Sequence, residues 1–139
     1  MKLTRQQMDD LIDTHFRFEA TDDVPGVLAS LADDAEHLVI PSPVGELHDR
    51  ERIGDYYRML FKSIRGDKVT PIRRLYGDDF LVDEAMWHGE VVDGHPFLED
   101  GKRGRVSFRI LHVFELEDGK IKSEKVWCDL AAIQRQLQR

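Results

Sequence analysis

Two ionisable side chains, His112 and Glu124, stand in strand-like stretches on either side of an Asp-Gly turn in "LHVFELEDGKIKSEKV". Residues two apart along a strand share one face, so His112 shares its face with Phe108 and Phe114. An imidazole on such a face can donate a hydrogen bond to a carbonyl oxygen, or act as acid or base near neutral pH. We therefore predict His112 as a catalytic residue.

Another histidine and a tyrosine lie on the apolar faces of predicted helices. His15 is in phase with Leu11 and Ile12, and Tyr57 lies on the apolar stripe of a later helix. A histidine on such a face is more often a packed core residue than a catalyst, and a tyrosine there fits core packing as well as a pocket hydroxyl. With these alternatives open, we take His15 as another catalytic candidate and Tyr57 as a pocket contact.

The last predicted strand divides its side chains between two faces. Glu124 and Val126 share one face, whereas Trp127 and Asp129 share the other. Asp129 also precedes the apolar run "LAAIQRQL", where it is favoured as the N-cap of a closing helix over a catalytic role. Cys128 has no activating neighbour in the sequence and is predicted to be a buried, inert thiol.

Trp87 and His88 are adjacent in a strand and must point to opposite faces, so the sequence leaves open which of them faces a pocket. Only the fold could gather His15, His88, His112 and Glu124 around a metal, because none of them has local ligand spacing such as H-x-x-x-H. We predict neither a metal nor a cofactor. The predicted pocket residues are Tyr57, Trp87, His88, Phe108, Val126, Trp127 and Asp129.

The first 66 residues carry helical periodicity. It predicts a helix over 5–20, a short second helix capped by Asp22 or Asp23, and a third helix capped by Asp49 and stopped by Gly66. The brief strand "EHLVIP" lies between the second and third helices. From there the period changes to two, and "KVTPIRRLY", "DFLVDEAMWHGEVV", "RVSFRILHVFEL" and "KIKSEKVWCD" predict four strands of an antiparallel meander.

The length, composition and net charge of the chain set limits on its function. With 139 residues, 41% of them hydrophobic, the chain is predicted to form one globular domain over 1–139. A net charge of −7 argues against nucleic acid as partner, and no apolar run approaches the roughly 20 residues of a membrane span. The polar first ten residues do not form a signal peptide, and a single cysteine excludes an internal disulfide, so we predict a cytoplasmic protein.

The order of elements, the segment "LADDAEHLVIPSPVGELHDRERIGDYY" and the ending "HVFELEDGKIKSEKVWCDLAAIQRQL" together resemble the nuclear transport factor 2-like superfamily, and most closely its SnoaL-like branch. The resemblance implies an α+β fold, with a cone-shaped, curved, antiparallel or mixed sheet packed on three helices from the N-terminal half and a short C-terminal helix. It also implies a homodimer, and a pocket between sheet and helices. The superfamily includes polyketide cyclases, ketosteroid isomerases, limonene-type epoxide hydrolases and dehydratases.

The catalytic positions implied by this resemblance are only partly matched. The base aspartate of the isomerases directly precedes a proline, where this chain has Ser42 or Ile40, and the acid/base aspartate of the cyclases corresponds to Val126. The resemblance therefore implies Glu124, the carboxylate in phase with Val126, as a catalytic candidate and possible base. The carboxylic acid that donates to the oxyanion in the isomerases corresponds to His112, and their helix-1 tyrosine falls near His15. Both positions are thus filled by histidines.

Two functions follow as expectations. The first is a small-molecule-binding protein with an apolar pocket that acts as a cofactor-independent acid/base enzyme, of polyketide cyclase, isomerase or dehydratase type, on a hydrophobic carbonyl compound. The second is a non-catalytic ligand-binding or dimerisation module of the same fold. The expected partners are a small hydrophobic molecule and a second copy of the chain, with neither nucleic acid nor membrane.

Overall fold

The computed structural model describes residues 2–138, which form four helices and one sheet of five strands. The helices are α1 (Arg5–Ala20), α2 (Val24–Ser30), α3 (Arg50–Ser63) and α4 (Leu130–Leu137). The strands are β1 (Leu31–Ile40), β2 (Ile64–Tyr76), β3 (Phe80–Val91), β4 (Gly104–Glu117) and β5 (Lys120–Cys128). No helix within 2–138 is both long enough and apolar enough to cross a membrane.

Side-chain caps begin the helices as the sequence predicts. Thr4 and Gln7 form a capping box at α1, in which the Thr4 hydroxyl accepts from the Gln7 amide and the Gln7 side chain accepts from the Thr4 amide. The carboxylates of Asp23, Asp49 and Asp129 accept from backbone N–H groups in the first turns of α2, α3 and α4. Each cap satisfies a donor that the helix itself leaves unpaired.

The five strands lie in the order β1-β5-β4-β3-β2. The four strands β2 to β5 form the predicted antiparallel meander, and β1 joins its end parallel to β5. Asp118 and Gly119 make the tight turn between β4 and β5 with φ of 53° and 72°, a left-handed conformation that Asp and Gly tolerate. The predicted mixed cone-type sheet on three N-terminal helices is confirmed.

Two boundaries differ from the prediction. Strand β1 begins at Leu31, directly after α2. Its pairing with β5 is irregular between Leu31 and Glu36, where the charged "ADD" segment lies. Helix α3 ends at Ser63, and Gly66 lies inside β2 opposite Gly89 rather than stopping the helix. The backbone becomes extended at Ile64, so β2 follows α3 without a loop.

The inner face of the sheet packs against the helices in two apolar clusters. One, beneath α1 to α3, is built on Ile12, Ile53, Tyr57, Phe114 and Ile121. The other, beneath α4, includes Val91, Val106, Phe108, Ile133 and Leu137. Between them the inner face carries polar side chains, which are therefore enclosed by apolar packing on both sides.

Arg74 of β2 fixes α1 against the sheet. Its guanidinium contacts Asp9 and Asp13 of α1 at 2.8 and 3.0 Å, and Asp83 of β3 at 2.9 Å. Asp83 pairs with His112 in the sheet, so this ion cluster lies one strand away from the polar centre of the inner face. The α1 side chains are thereby held over β3 and β4.

Candidate functional site

Glu124 is the centre of a buried polar cluster on the inner face of β5. Its side chain is fully buried, and Glu124 pairs with Phe114 of β4 in the sheet. The Tyr57 hydroxyl of α3 donates to Glu124 Oε1 over 2.9 Å. His15 of α1 places Nε2 3.1 Å from Oε1 and 3.2 Å from Oε2. One carboxylate thus joins two helices to the last strand.

The protonation of His15 follows from its other neighbour. Its Nδ1 lies 2.7 Å from Ser30 Oγ, and that hydroxyl lies 2.6 Å from the Val27 carbonyl oxygen. A hydroxyl has one hydrogen, which Ser30 donates to the carbonyl, so we assign the Nδ1 hydrogen to His15 as the donor to Ser30. Nε2 is then directed at the Glu124 carboxylate.

The charges of His15 and Glu124 stabilise each other. Burial alone lowers the pKa of His15, but the neighbouring charges of Glu124 and Glu19 outweigh it and raise that pKa to about 9. Burial alone raises the pKa of Glu124, but the charge and hydrogen bond of His15 outweigh it and bring that pKa well below its usual range. The pair is therefore an imidazolium and a carboxylate in a dry interior.

Glu19 is a second carboxyl beside His15 that the sequence analysis did not select. It lies one helical turn after His15, with Oε1 3.4 Å from His15 Nε2, and its side chain is 21% exposed. Burial, opposed by His15 and reinforced by Glu124, raises the pKa of Glu19 to about 8. The i,i+4 spacing of His15 and Glu19 on one helix face is the sequence signal that could have found it.

His37 of β1 completes the cluster from the far side. Because Tyr57 donates its one hydroxyl hydrogen to Glu124, His37 Nε2 donates to the Tyr57 oxygen across 3.1 Å. Burial lowers the pKa of His37, which favours the neutral ring. His37 was not selected from the sequence either, although it alternates with Ala35 and Val39 in "AEHLV".

His112 faces the cluster without joining its hydrogen bonds. Its Nε2 is 3.9 Å from Glu124 Oε2, and Nδ1 has no hydrogen-bond partner within residues 2–138. The ring stacks on Phe114 with centroids 5.4 Å apart and meets the Phe16 ring edge-on at 4.9 Å. Burial lowers the pKa of His112 to about 4, so its ring is neutral.

The structure brings together all three predicted catalytic residues, His15, His112 and Glu124, with Tyr57 bonded to the carboxylate. Val126 lies beside His112 on the inner face. The distances show that these side chains lie together, and their catalytic role stays a prediction.

The other predicted pocket residues do not join this cluster. Trp87 packs on Phe108 at 5.3 Å beneath α4, in the second apolar cluster. His88 and Trp127 lie on the outer face, where His88 contacts Ser107 and Thr70 and Trp127 is 39% exposed. Asp129 acts as the cap of α4. The alternation of strand side chains separates His88 and Trp127 from the inner face.

Two open hollows on the surface, of about 420 and 440 Å³, lie away from the buried cluster. Lys2 and Glu115 are among the residues that line the first, and Ala32 and Arg50 among those that line the second. Neither hollow is lined by a residue of the His15–Glu124 cluster. The apolar pocket expected from the sequence therefore stays a prediction.

A curved mixed sheet with helices packed on one face, and ionisable groups buried between them, defines a cone-type α+β domain of the nuclear transport factor 2-like class. The model of the SnoaL-like domain family matches residues 12–124. The chain belongs to the SnoaL-like family. A comparison with curated protein sequences gave no significant match.

Solved structures share this fold at low sequence identity. A candidate polyketide cyclase from Xanthomonas campestris pv. campestris has a TM-score of 0.79 at 20% identity, over 96% of this chain and 98% of that one. An LEH-like epoxide hydrolase from M. tuberculosis has a TM-score of 0.72 at 17% identity, over 96% and 91%. A protein with a ketosteroid isomerase-like fold from Catenulispora acidiphila, crystallised with trimethylamine, has a TM-score of 0.75 at 14% identity, over 92% of each chain.

Proposed function

We propose that this chain is an acid/base enzyme for a small hydrophobic carbonyl compound, of the cyclase, isomerase or dehydratase type. The observation that carries the proposal is the convergence of His15, Tyr57, His112 and Glu124 from four different elements on one buried point. Enclosing ions in an apolar core costs several kcal/mol per ion before pairing, so such a cluster is rarely retained for stability alone.

His112 is the residue proposed to act on the substrate. It has an unpaired ring nitrogen and no hydrogen bond to the carboxylate, whereas Glu124 already accepts from Tyr57 and His15 and is fully buried. A carboxylate so occupied is poorly placed to take a proton from a substrate, and serves better to hold His15 and Tyr57. Glu124 is accordingly proposed as a positioning residue, in place of the base expected from the sequence.

The approach to His112 is covered by the Phe16 ring. Phe16 is half-buried, and lies against both His112 and Phe114 at 4.9 and 5.7 Å. A ketone or enone that contacts His112 would displace the Phe16 ring. The apolar or aromatic part of that compound would then replace the packing that Phe16 makes with His112 and Phe114. A hydrophobic substrate therefore suits the position better than a polar one.

The second candidate is a non-catalytic module. It is favoured by the packing of Phe16 over His112 and by the position of both surface hollows away from the cluster. We further propose a homodimer as the assembly of either form. Trp127 and Leu75 of the outer sheet face are 39% and 48% exposed, and a second copy would remove this apolar area from water.

The test combines a ligand screen with turnover. Aromatic ketones, 3-ketosteroids and polyketide-like acids are screened by thermal shift, and compounds that bind are assayed for reaction. His112→Ala is expected to reduce turnover about 100-fold or more, with the thermal midpoint changed by only a few degrees. His95→Ala, at an exposed loop histidine, is the matched control. Equal turnover in wild type and His112→Ala would remove His112 from the reaction, and binding without any turnover would favour the module.

A further inference from the structure

We propose that His15, Glu19 and Glu124 form a binding site for one divalent transition-metal ion, with Zn²⁺ as the best match. Their ligand atoms all lie within 4.8 Å of one another. An imidazole nitrogen with two carboxylates is a donor set that suits Zn²⁺ better than Mg²⁺ or Ca²⁺, which prefer oxygen alone. This inference goes beyond the acid/base proposal and does not depend on it.

The separations between the donor atoms fit a single ion. Two ligands about 2.1 Å from one ion lie about 3.0 Å apart in an octahedral shell and about 3.4 Å apart in a tetrahedral one. His15 Nε2 is 3.1 Å from Glu124 Oε1 and 3.4 Å from Glu19 Oε1. Once the Nε2 proton of His15 has been released to solvent, as metal binding requires, the three side chains could therefore bind an ion with little movement.

The outer contacts of these side chains are those that metal ligands usually have. A metal-binding histidine commonly donates its other ring N–H to an oxygen, which fixes the ring and leaves the remaining nitrogen for the ion. His15 has this contact through Nδ1 to Ser30 Oγ at 2.7 Å. The Tyr57 hydroxyl bonds Glu124 Oε1 and orients the carboxylate in the same way. Both ligands are thus held in position before any ion binds.

An independent feature, His112, points at the same place. It is nine-tenths buried, with 8% of its surface exposed, and its Nδ1 has no hydrogen-bond partner within residues 2–138. Its Nε2 is directed at Glu124 Oε2 from 3.9 Å, too far for a hydrogen bond. His112 is thus an unpartnered, buried imidazole next to one of the three proposed ligands.

With Glu19 ionised, the charge of the cluster also favours a cation. Two carboxyl groups, Glu19 and Glu124, face the same His15 nitrogen, and that nitrogen has at most one hydrogen to donate. One hydrogen cannot serve both groups once both are carboxylates, whereas a divalent ion can bind both together. In the sequence, His15 and Glu19 form an H-x-x-x-E pair, which places both side chains on one helix face as H-x-x-x-H would.

The experiment measures binding of the metal alone to the full chain. The protein is dialysed against EDTA and then against metal-free buffer, and is titrated with ZnCl₂ in competition with a chromophoric chelator. We expect one Zn²⁺ per chain, and at least a tenfold loss of affinity in Glu19→Gln. Because Glu19 is partly exposed, this isosteric variant is expected to fold. Glu115→Gln, at an exposed carboxylate of β4, is the matched control and should bind like wild type.

Cobalt gives a second readout that a surface-bound ion would not reproduce. Co²⁺ in a four-coordinate nitrogen and oxygen site absorbs strongly in the visible range, so wild type and Glu115→Gln should develop this band and Glu19→Gln should not. Absence of stoichiometric binding in wild type, or equal Zn²⁺ affinity in wild type and Glu19→Gln, would overturn the site. Binding is read without substrate, so either result leaves the acid/base proposal to its own test at His112.

Discussion

His15 Nε2 lies 3.1 and 3.2 Å from the two oxygens of Glu124, although 109 residues separate the two along the chain. The contact joins the first helix to the last strand in an interior where neither side chain is exposed. It closes the longest loop of the buried cluster, so the polar site and the packing of α1 on the sheet depend on each other.

The two single variants of the His15–Glu124 pair should together lose more free energy of unfolding than the double variant loses. Glu124→Ala is expected to lower the free energy of unfolding by about 3 kcal/mol, because His15 then remains buried without its counter-charge. Urea denaturation of His15→Ala, Glu124→Ala and the double variant measures the coupling, expected at about 2 kcal/mol. Effects that add to within about 0.5 kcal/mol would show that the two side chains do not interact energetically.

Tyr57 and its neighbour Tyr56 provide a matched comparison on one helix. Tyr57→Phe removes the donor to Glu124 and the acceptor for His37, and is expected to cost about 2 kcal/mol because the carboxylate stays buried. Tyr56→Phe deletes a hydroxyl that has no hydrogen bond to any residue in 2–138, and should cost well under half as much. Chemical denaturation of both variants decides the point, and equal losses would argue against the Tyr57 hydrogen bond.

The Asp9–Arg74 contact predicts a specific acid sensitivity. Burial alone raises the pKa of Asp9, but hydrogen bonds from Tyr76 and Arg74 outweigh it and bring the pKa below the ordinary 3.8. A carboxyl with a lowered pKa contributes stability above its unfolded value, and this contribution is lost as the pH falls through the folded value. Between about pH 5 and pH 2.5, Asp9→Asn should therefore lose less stability than wild type does.

Thermal midpoints over this pH range measure the Asp9 effect. Asp10→Asn on the same helix is the control, since Asp10 contacts Gln6 rather than Arg74. A pH dependence in Asp9→Asn as steep as in wild type would mean that Asp9 does not interact with Arg74 in solution.

Asp129 should behave as a helix cap and not as a catalyst. Its carboxylate accepts from the Ala132 N–H at 3.1 Å, so Asp129→Ala is expected to cost about 1 kcal/mol and Asp129→Asn almost nothing. Thermal or urea unfolding gives both values, and turnover should be the same in the two variants. A variant that kept its stability and lost its activity would reverse this assignment.

The sequence determined most of the fold because the evidence for it is local. Helical periodicity, capping side chains and the Asp118–Gly119 turn act within a few residues, and they fixed α1, the starts of α3 and α4, and the antiparallel meander. The parity rule also placed His112 on the apolar face. The start of β1 was missed, because its irregular pairing with β5 depends on a strand about 90 residues away.

Only the tertiary structure decided which side chains meet. Parity grouped Glu124 with Val126 and His112 with Phe114, each within its own strand. It could not predict that Tyr57, Ser30 and His37 surround the same carboxylate, or that Glu19 approaches the His15 nitrogen. These contacts depend on the angle and depth at which the helices pack on a curved sheet. That packing is set by the whole core, since no short segment buries enough apolar surface to fix it.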